Sequence, residues 1–500
     1  MAFPAPRTQI MRLYFLGIGG IAMGSVAIAC HRLGYTVSGC DSGVYPPMSE
    51  MLASCGIDYA NTYSADHIIG FAPDYVVVGN AISRGNPALE AALDGNMPLL
   101  SMPELLRWRF MLRAQRLVVT GTHGKTTTTS MLAWILQQCG LPTGYLIGGS
   151  VPQLGESCKP APEGGFFVLE GDEYDTAFFD KRSKFLHSMP HVLIITSIEY
   201  DHADIFPNYE SILAAFGNVT KLVPSSGLVL ICGDDPGAAL VSRQSLAPVQ
   251  QYGLSAHCDW QASIIESTTD GTQFHIRRTG TSVGNFRIQL HGEHNVRNAT
   301  AAIAAASALG LEAHRIAGAL ETFAPPKRRF ELLCTWNGAV VVDDFAHHPT
   351  AIGATIQAAR TRFPSRRIIA CFEPRSNTSV RAIFQRELTD ALASADIAII
   401  CPLYRGDRYA PEERLDRECI QRDLLDRGIE CHCIPESSNW GDNAFALLRS
   451  IMSDQDVLLL LSNGNIGGLR QRILRAATSE TQTPQHQEQS SRTEQEAAQG

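Results

Sequence analysis

The stretch TGTHGKTTTT at 120–129 limits most narrowly what this chain can fold into. It follows the apolar run RLVVT and opens TTTTSMLAWILQQ, a helical stretch stopped by Gly140 and Pro142. A strand, a glycine-rich turn and a helix in that order bring backbone N–H groups and the positive end of the helix dipole to one point, which suits a phosphate. The spacing departs from the usual phosphate loop, which has a glycine five residues before its Gly-Lys pair. That position is Val119, still inside the strand, and the first glycine comes two residues late, at Gly121. Gly124, Lys125 and Thr126 stand where they should. Lys125 is expected to neutralise the β- and γ-phosphates of a nucleotide, and Thr126 to offer its hydroxyl to Mg²⁺. A chance Gly-Lys-Thr is common in 500 residues, but one on a strand-to-helix turn is not.

A phosphate loop works with acidic strand ends that complete a metal site. FFVLEGDEYD supplies Glu170, Asp172, Glu173 and Asp175 directly after an apolar strand. SIEYDHADIF supplies Glu199, Asp201, His202 and Asp204 after the strand HVLIIT. A lone His202 is more often structural, and dense carboxylates are more often a solvated loop. Beside a phosphate loop, His202 becomes an expected metal ligand, together with Thr126 and with Glu170 or Glu173.

Five hundred residues exceed what one core organises, and strands alternate with helical stretches throughout, so parallel sheets in several domains are expected. The divisions read as a leader at 1–10, an N-terminal Rossmann-like unit at 11–112, a central phosphate-loop ATPase-like unit at 113–324 and a C-terminal Rossmann-like unit at 325–476. Residues 477–500 carry almost no large apolar side chains and are expected to be disordered. A net charge of −9 argues against a nucleic-acid partner. The thirteen cysteines are scattered, without a C-x-x-C pattern, and read as reduced residues of a cytoplasmic protein. The uncharged run at 13–30 carries four glycines and no evident cleavage site, so it reads as a strand, turn and helix rather than an export signal or membrane span.

That first turn, FLGIGGIAMGS, offers Gly17, Gly19 and Gly20, with Ala22 where the last glycine of a dinucleotide fingerprint would fall and Asp41 ending the next strand. An NAD-dependent oxidoreductase is one reading. The turn specifies only a diphosphate near a helix start, and a sugar nucleotide satisfies it equally well. A dehydrogenase also leaves the phosphate loop unexplained.

Taken together, these elements resemble the Mur ligase family, ATP-dependent amide-forming enzymes of bacterial cell-wall synthesis. The resemblance spans about 11–475 and includes the shortened G-T-x-G-K-T loop, GEHNVRNA, KRRFE and VDDFAHHPT. It implies that Gly121, Thr122, His123, Gly124, Lys125, Thr126 and Thr127 hold ATP with Asn295, Asn298, Arg329 and Asp344, and that Lys125, His202 and His348 serve catalysis. The G-x-G-G turn and HHPT look like the branch acting on UDP-N-acetylmuramate, with Gly17, Gly19, Gly20, Asp41, Asn80 and Arg375 as substrate residues. YPPMS, GNAISRGNP, EYDTAFFDKRSKF and EPRSNT look like the members that join the salvaged tripeptide L-alanyl-γ-D-glutamyl-meso-diaminopimelate to the muramate carboxylate. The alternative is the L-alanine-adding branch. Members that add later residues carry a carbamylated lysine about fifteen residues after the Asp-His pair, where SILAAFGNV has none. Lys181, Arg182 and Lys184, with Arg375, are expected to hold the carboxylates of the peptide.

Overall fold

The computed structural model describes residues 10–46 and 48–479. The strands among them form three large sheets and one short hairpin. The first sheet is parallel, in the order Tyr59–Ala60, Thr36–Cys40, Arg12–Leu16, Tyr75–Val78 and Leu99–Ser101. Arg12–Leu16 leads into the helix Ile21–Arg32, so the run at 13–30 is a strand, turn and helix. No helix among the described residues is long and apolar enough to cross a membrane. Strand order reverses beside Arg12–Leu16, and the crevice outside the strand ends at such a reversal is where open α/β sheets bind ligands.

The second sheet has ten strands. Its parallel part runs Val249–Gly253, Leu228–Cys232, Val192–Ile195, Gln115–Thr120, Phe166–Glu170 and Thr143–Leu146. Val119 explains the unusual loop spacing: it pairs with Ile194 on one side and Glu170 on the other and is fully buried. The chain is still sheet at this position, and its turn begins only at Gly121. An extension in which Trp260–Thr268, Gly271–Arg278 and Thr281–Ile288 pair antiparallel was not foreseen; the alternation in TQFHIRR was its signal. The helix Lys125–Gln138 packs on the helix Glu293–Ala308, whose buried Ala301, Ala302, Ala304, Ala305 and Ala306 permit a close approach.

The third sheet runs Glu331–Trp336, Ala339–Asp344, Asp456–Leu461, Arg367–Phe372, Ile397–Ile400 and Glu430–Cys433, parallel except at its first strand. All thirteen cysteines are free thiols. The tail differs from expectation at its start. Residues 469–479 are helical, and Leu469, Ile473 and Ala477, spaced four apart, bury one face in the core. Disorder therefore cannot begin at 477. The rest of the expected tail, residues 1–9 of the expected leader and Pro47 of YPPMS lie outside the described residues.

Candidate active site

Strand ends of all three sheets carry the polar residues singled out above. At the first sheet, a cavity of about 670 Å³ is lined by Gly17, Gly20, Asp41, Asn80 and Arg84 among others. Asp41 also braces the wall of this cavity, since its carboxylate accepts the Gly19 N–H at 3.0 Å and the Tyr63 hydroxyl at 3.3 Å. The Gly19 N–H thus helps to hold Asp41 in place. Tyr63 and Arg84 were missed as lining residues, although Arg84 lies within the stretch GNAISRGNP.

The phosphate loop is held by packing that excludes side chains at both its glycines. Gly121 has φ +132°, and a Cβ there would fall 2.0 Å from Thr196 Oγ1. Gly124 has φ +79°, and a Cβ there would fall 2.4 Å from Asn298 Oδ1. The Thr122 N–H donates to the Ser197 carbonyl at 2.8 Å, and the His123 N–H to Ser197 Oγ at 3.1 Å. Thr127 is buried in the first turn of the helix.

The acidic strand end divides its work between two carboxylates. Lys125 Nζ donates to both oxygens of Glu173, at 2.8 and 3.0 Å. His202 Nε2 donates to Glu173 Oε1 at 2.9 Å. Glu170 accepts the Thr126 hydroxyl at 2.7 Å and the Gly148 N–H at 2.7 Å. Burial alone would push the Lys125 ammonium down, but the Glu173 carboxylate reverses this and holds it up. Burial likewise opposes ionisation of Glu173, and the charges of Lys125 and His202 keep it below the usual carboxylate range. His202 is raised, because Glu173 outweighs its burial. His202 also holds φ +54°, a left-handed backbone that costs any residue with a Cβ and that its neighbours must enforce. Thr126 with Glu170 makes one pair of donors and Glu173 with His202 another, each of a kind that suits a hard divalent cation; among the described residues the ligand atoms of Glu170, Glu173 and His202 do not gather within 4.8 Å of one another.

The third sheet reaches into this cluster. Arg329, between Arg328 at φ +60° and Phe330 at φ +54°, donates to Thr126 Oγ1 at 3.1 Å. Asp344 accepts the N–H groups of Phe330 at 2.7 Å and Ala346 at 2.8 Å, so it fixes the backbone beside Arg329. The Thr378 hydroxyl of EPRSNT donates to Asp201 at 2.7 Å. Arg375 in the same loop stacks 3.7 Å above the Tyr404 ring and lies 3.3 Å from Glu373.

The asparagine motif lies under the loop. The Asn295 amide donates to the His291 carbonyl at 2.8 Å, and Asn298 donates to Asn295 at 3.3 Å while packing on Gly124. Both are buried, and their amides serve protein partners. The basic cluster is also spent locally: Lys181 pairs with Asp175 at 2.6 Å, Arg182 with Asp180 at 2.7 Å and Lys184 with Asp172 at 2.8 Å. Each cation of this loop thus meets an acid of EGDEYDTAFFD, while Lys181 and Arg182 remain mostly exposed.

His348 caps the helix Pro349–Arg362 and reaches Glu199, a residue given no role above. Its Nδ1 lies 3.3 Å from Glu199 Oε2, while His123 Nε2 lies 3.2 Å from the same oxygen and the Thr350 hydroxyl donates to it at 2.6 Å. Burial, with His123 nearby, pushes His348 down to about 4, so its ring is neutral at neutral pH. Glu199 stands at about 2, since His123 and its other donors outweigh burial.

A phosphate loop on a parallel sheet, reached by residues of the third sheet and accompanied by a first sheet with a cavity of its own beside a glycine turn, is the architecture of a three-domain nucleotide-dependent ligase. Three parts of the chain match the Mur ligase family: residues 12–111 its catalytic domain, 119–306 its middle domain and 328–464 its glutamate ligase domain. The UDP-N-acetylmuramate–L-alanyl-γ-D-glutamyl-meso-2,6-diaminoheptandioate ligase of Escherichia coli is 39% identical over 93% of this chain and 98% of its own length. A UDP-N-acetylmuramate–L-alanine ligase of Roseiflexus is 35% identical over 91% of this chain and 97% of its own. The crystal structure of a murein peptide ligase from Psychrobacter arcticus superposes with a TM-score of 0.70 at 34% identity, covering 93% of this chain and 98% of that one. The chain belongs to the Mur ligase family, whose members are ATP-dependent ligases that form C–N bonds. The oxidoreductase reading of the first glycine turn is set aside.

Proposed function

We propose that this enzyme joins the tripeptide L-alanyl-γ-D-glutamyl-meso-diaminopimelate to the lactyl carboxylate of UDP-N-acetylmuramate, in the cytoplasm, as a step of peptidoglycan recycling. The observation that carries this reading is the 39% identity, over nearly the whole chain, to a relative named for that reaction. The sugar nucleotide would lie in the cavity beside Gly17, Gly20, Asp41 and Asn80, and ATP on the loop from Gly121 to Thr127. The working units would be 11–112, 113–324 and 325–476.

Amide formation first requires a better electrophile than a carboxylate. The lactyl carboxylate takes the γ-phosphoryl group of ATP, giving an acyl phosphate and ADP. The peptide amine then attacks its carbonyl carbon, and phosphate leaves as the amide forms. Lys125 would meet the transferring phosphoryl group, exchanging part of its pairing with Glu173 for phosphate oxygens. Thr126, Glu170, Glu173 and His202 would hold Mg²⁺, which when bound supplies charge neutralisation at the phosphates. Arg329 would approach the same phosphates from the C-terminal domain, while Asp344, Asn295 and Asn298 keep the nucleotide site in shape. Arg375 would bind a carboxylate of the tripeptide, with His348 near the amine. The test is Lys125→Ala: ATP-dependent ligation is lost while the circular-dichroism spectrum is retained, and near-normal turnover would overturn the assignment.

A further inference from the structure

The cluster of His123, Glu199 and His348 is distinct from the residues assigned to Mg²⁺. Each side chain comes from a different segment: the phosphate loop, the loop after Val192–Ile195, and the cap of a C-terminal-domain helix. Their ligand atoms all lie within 4.8 Å of one another. A tetrahedral centre with bonds of about 2.0–2.2 Å has ligand-to-ligand edges of roughly 3.3–3.6 Å. His123 Nε2 and His348 Nδ1 stand 3.2 and 3.3 Å from Glu199 Oε2, close to such edges.

A second observation points to a ligand. His348 Nε2 lies 3.3 Å from the Tyr200 carbonyl, which can only accept, so Nε2 carries the proton in the neutral ring. That leaves Nδ1 with a bare lone pair, buried and without a hydrogen bond, aimed at a carboxylate oxygen. Two lone pairs facing each other are unfavourable unless a proton or a metal ion stands between them, and burial, with His123 nearby, disfavours the proton on His348. A ring N–H fixed on a backbone carbonyl is also the arrangement by which metal-binding histidines are oriented.

We infer that His123, Glu199 and His348 form a transition-metal site of the Zn²⁺ class, bridging the phosphate loop to the C-terminal domain. Two imidazoles and one carboxylate are ligands suited to Zn²⁺ or Co²⁺ rather than to Mg²⁺. Glu199 and neighbouring Asp201 supply the negative charge the ion requires and offset the positive end of the helix that His348 caps. Bound there, the ion would tie the loop that holds ATP to the domain that carries Arg329 and Arg375.

The probe is Co²⁺ added alone to the full-length protein after chelator treatment, read by visible d–d absorption. One equivalent should bind, and Glu199→Gln and His348→Asn should each weaken binding at least roughly tenfold. His202→Asn, which alters the proposed Mg²⁺ site, should leave the band in place. The inference is overturned if the wild-type protein gives no band, if the band survives in both Glu199→Gln and His348→Asn, if it carries thiolate charge-transfer absorption, or if His202→Asn alone removes it.

Discussion

Replacing Gly124 by alanine isolates the packing that makes the shortened phosphate loop possible. Gly124 holds φ +79°, and a left-handed conformation costs a residue with a Cβ about 1–2 kcal/mol. The new methyl group would also sit 2.4 Å from Asn298 Oδ1. Asn298 is 6% exposed, so it can yield only by disturbing its bond to Asn295 and the helix around it. Overpacking of this kind costs about 1–3 kcal/mol. Gly140, at the other end of the same helix, provides the control: its φ is +73°, but a Cβ there meets nothing within 4 Å. Gly140→Ala therefore carries the conformational cost alone, and the difference between the variants is the clash. Native-state hydrogen exchange on the helix Lys125–Gln138 reads that difference directly. Its amides should exchange roughly 5- to 150-fold faster in Gly124→Ala than in Gly140→Ala, the factor equivalent to about 1–3 kcal/mol. Equal exchange in the two variants would refute the claim that Asn298 braces the loop.

Three other outcomes follow from the geometry. Arg375→Lys keeps the charge but loses the planar stack on Tyr404, so KM for the tripeptide should rise about tenfold while KM for UDP-N-acetylmuramate stays put, as steady-state kinetics would report. Burial would raise Asp234, yet the Leu254 N–H, Ser255 and Arg297 hold it down at about 2. A depressed carboxylate stabilises the fold above its unfolded value near 3.9 and loses that contribution as pH falls through its folded value. Acid unfolding of Asp234→Asn should accordingly lack the part of the wild-type pH dependence between about 4 and 2, and the variant should be less stable at pH 7 by about 1–3 kcal/mol. Glu173→Gln leaves the Lys125 charge buried beside a neutral amide and should cost about 3–5 kcal/mol in urea unfolding, whereas Asp204→Asn should cost little.

Local order was easiest to read from the sequence. An apolar run followed by glycines and then a helix can hardly fold otherwise, and Val119, apolar where the usual loop has a glycine, marks how far the strand extends. Parallel sheets followed from alternating strands and helices, while the antiparallel extension lacked a helix between its strands and went unnoticed. Chemistry shared within one segment was less legible. Four acids in EGDEYD are equivalent in spacing, and only the fold sends Glu170 to Thr126 and Glu173 to Lys125 and His202. Pairings between distant segments left no trace in the sequence. Glu199 meets His348 across 149 positions of chain, 348 minus 199, and nothing in either neighbourhood names the other. Lys181, Arg182 and Lys184 show the same limit, since charge read along the chain does not tell which acids fold against each cation.

The choice of amine is tested most directly by competition. The protein is supplied with ATP, Mg²⁺ and UDP-N-acetylmuramate, together with equal concentrations of L-alanine and of L-alanyl-γ-D-glutamyl-meso-diaminopimelate, and the products are weighed by mass spectrometry. The account predicts the tripeptide adduct in large excess, formed only when ATP is present; a dominant L-alanine adduct would contradict it.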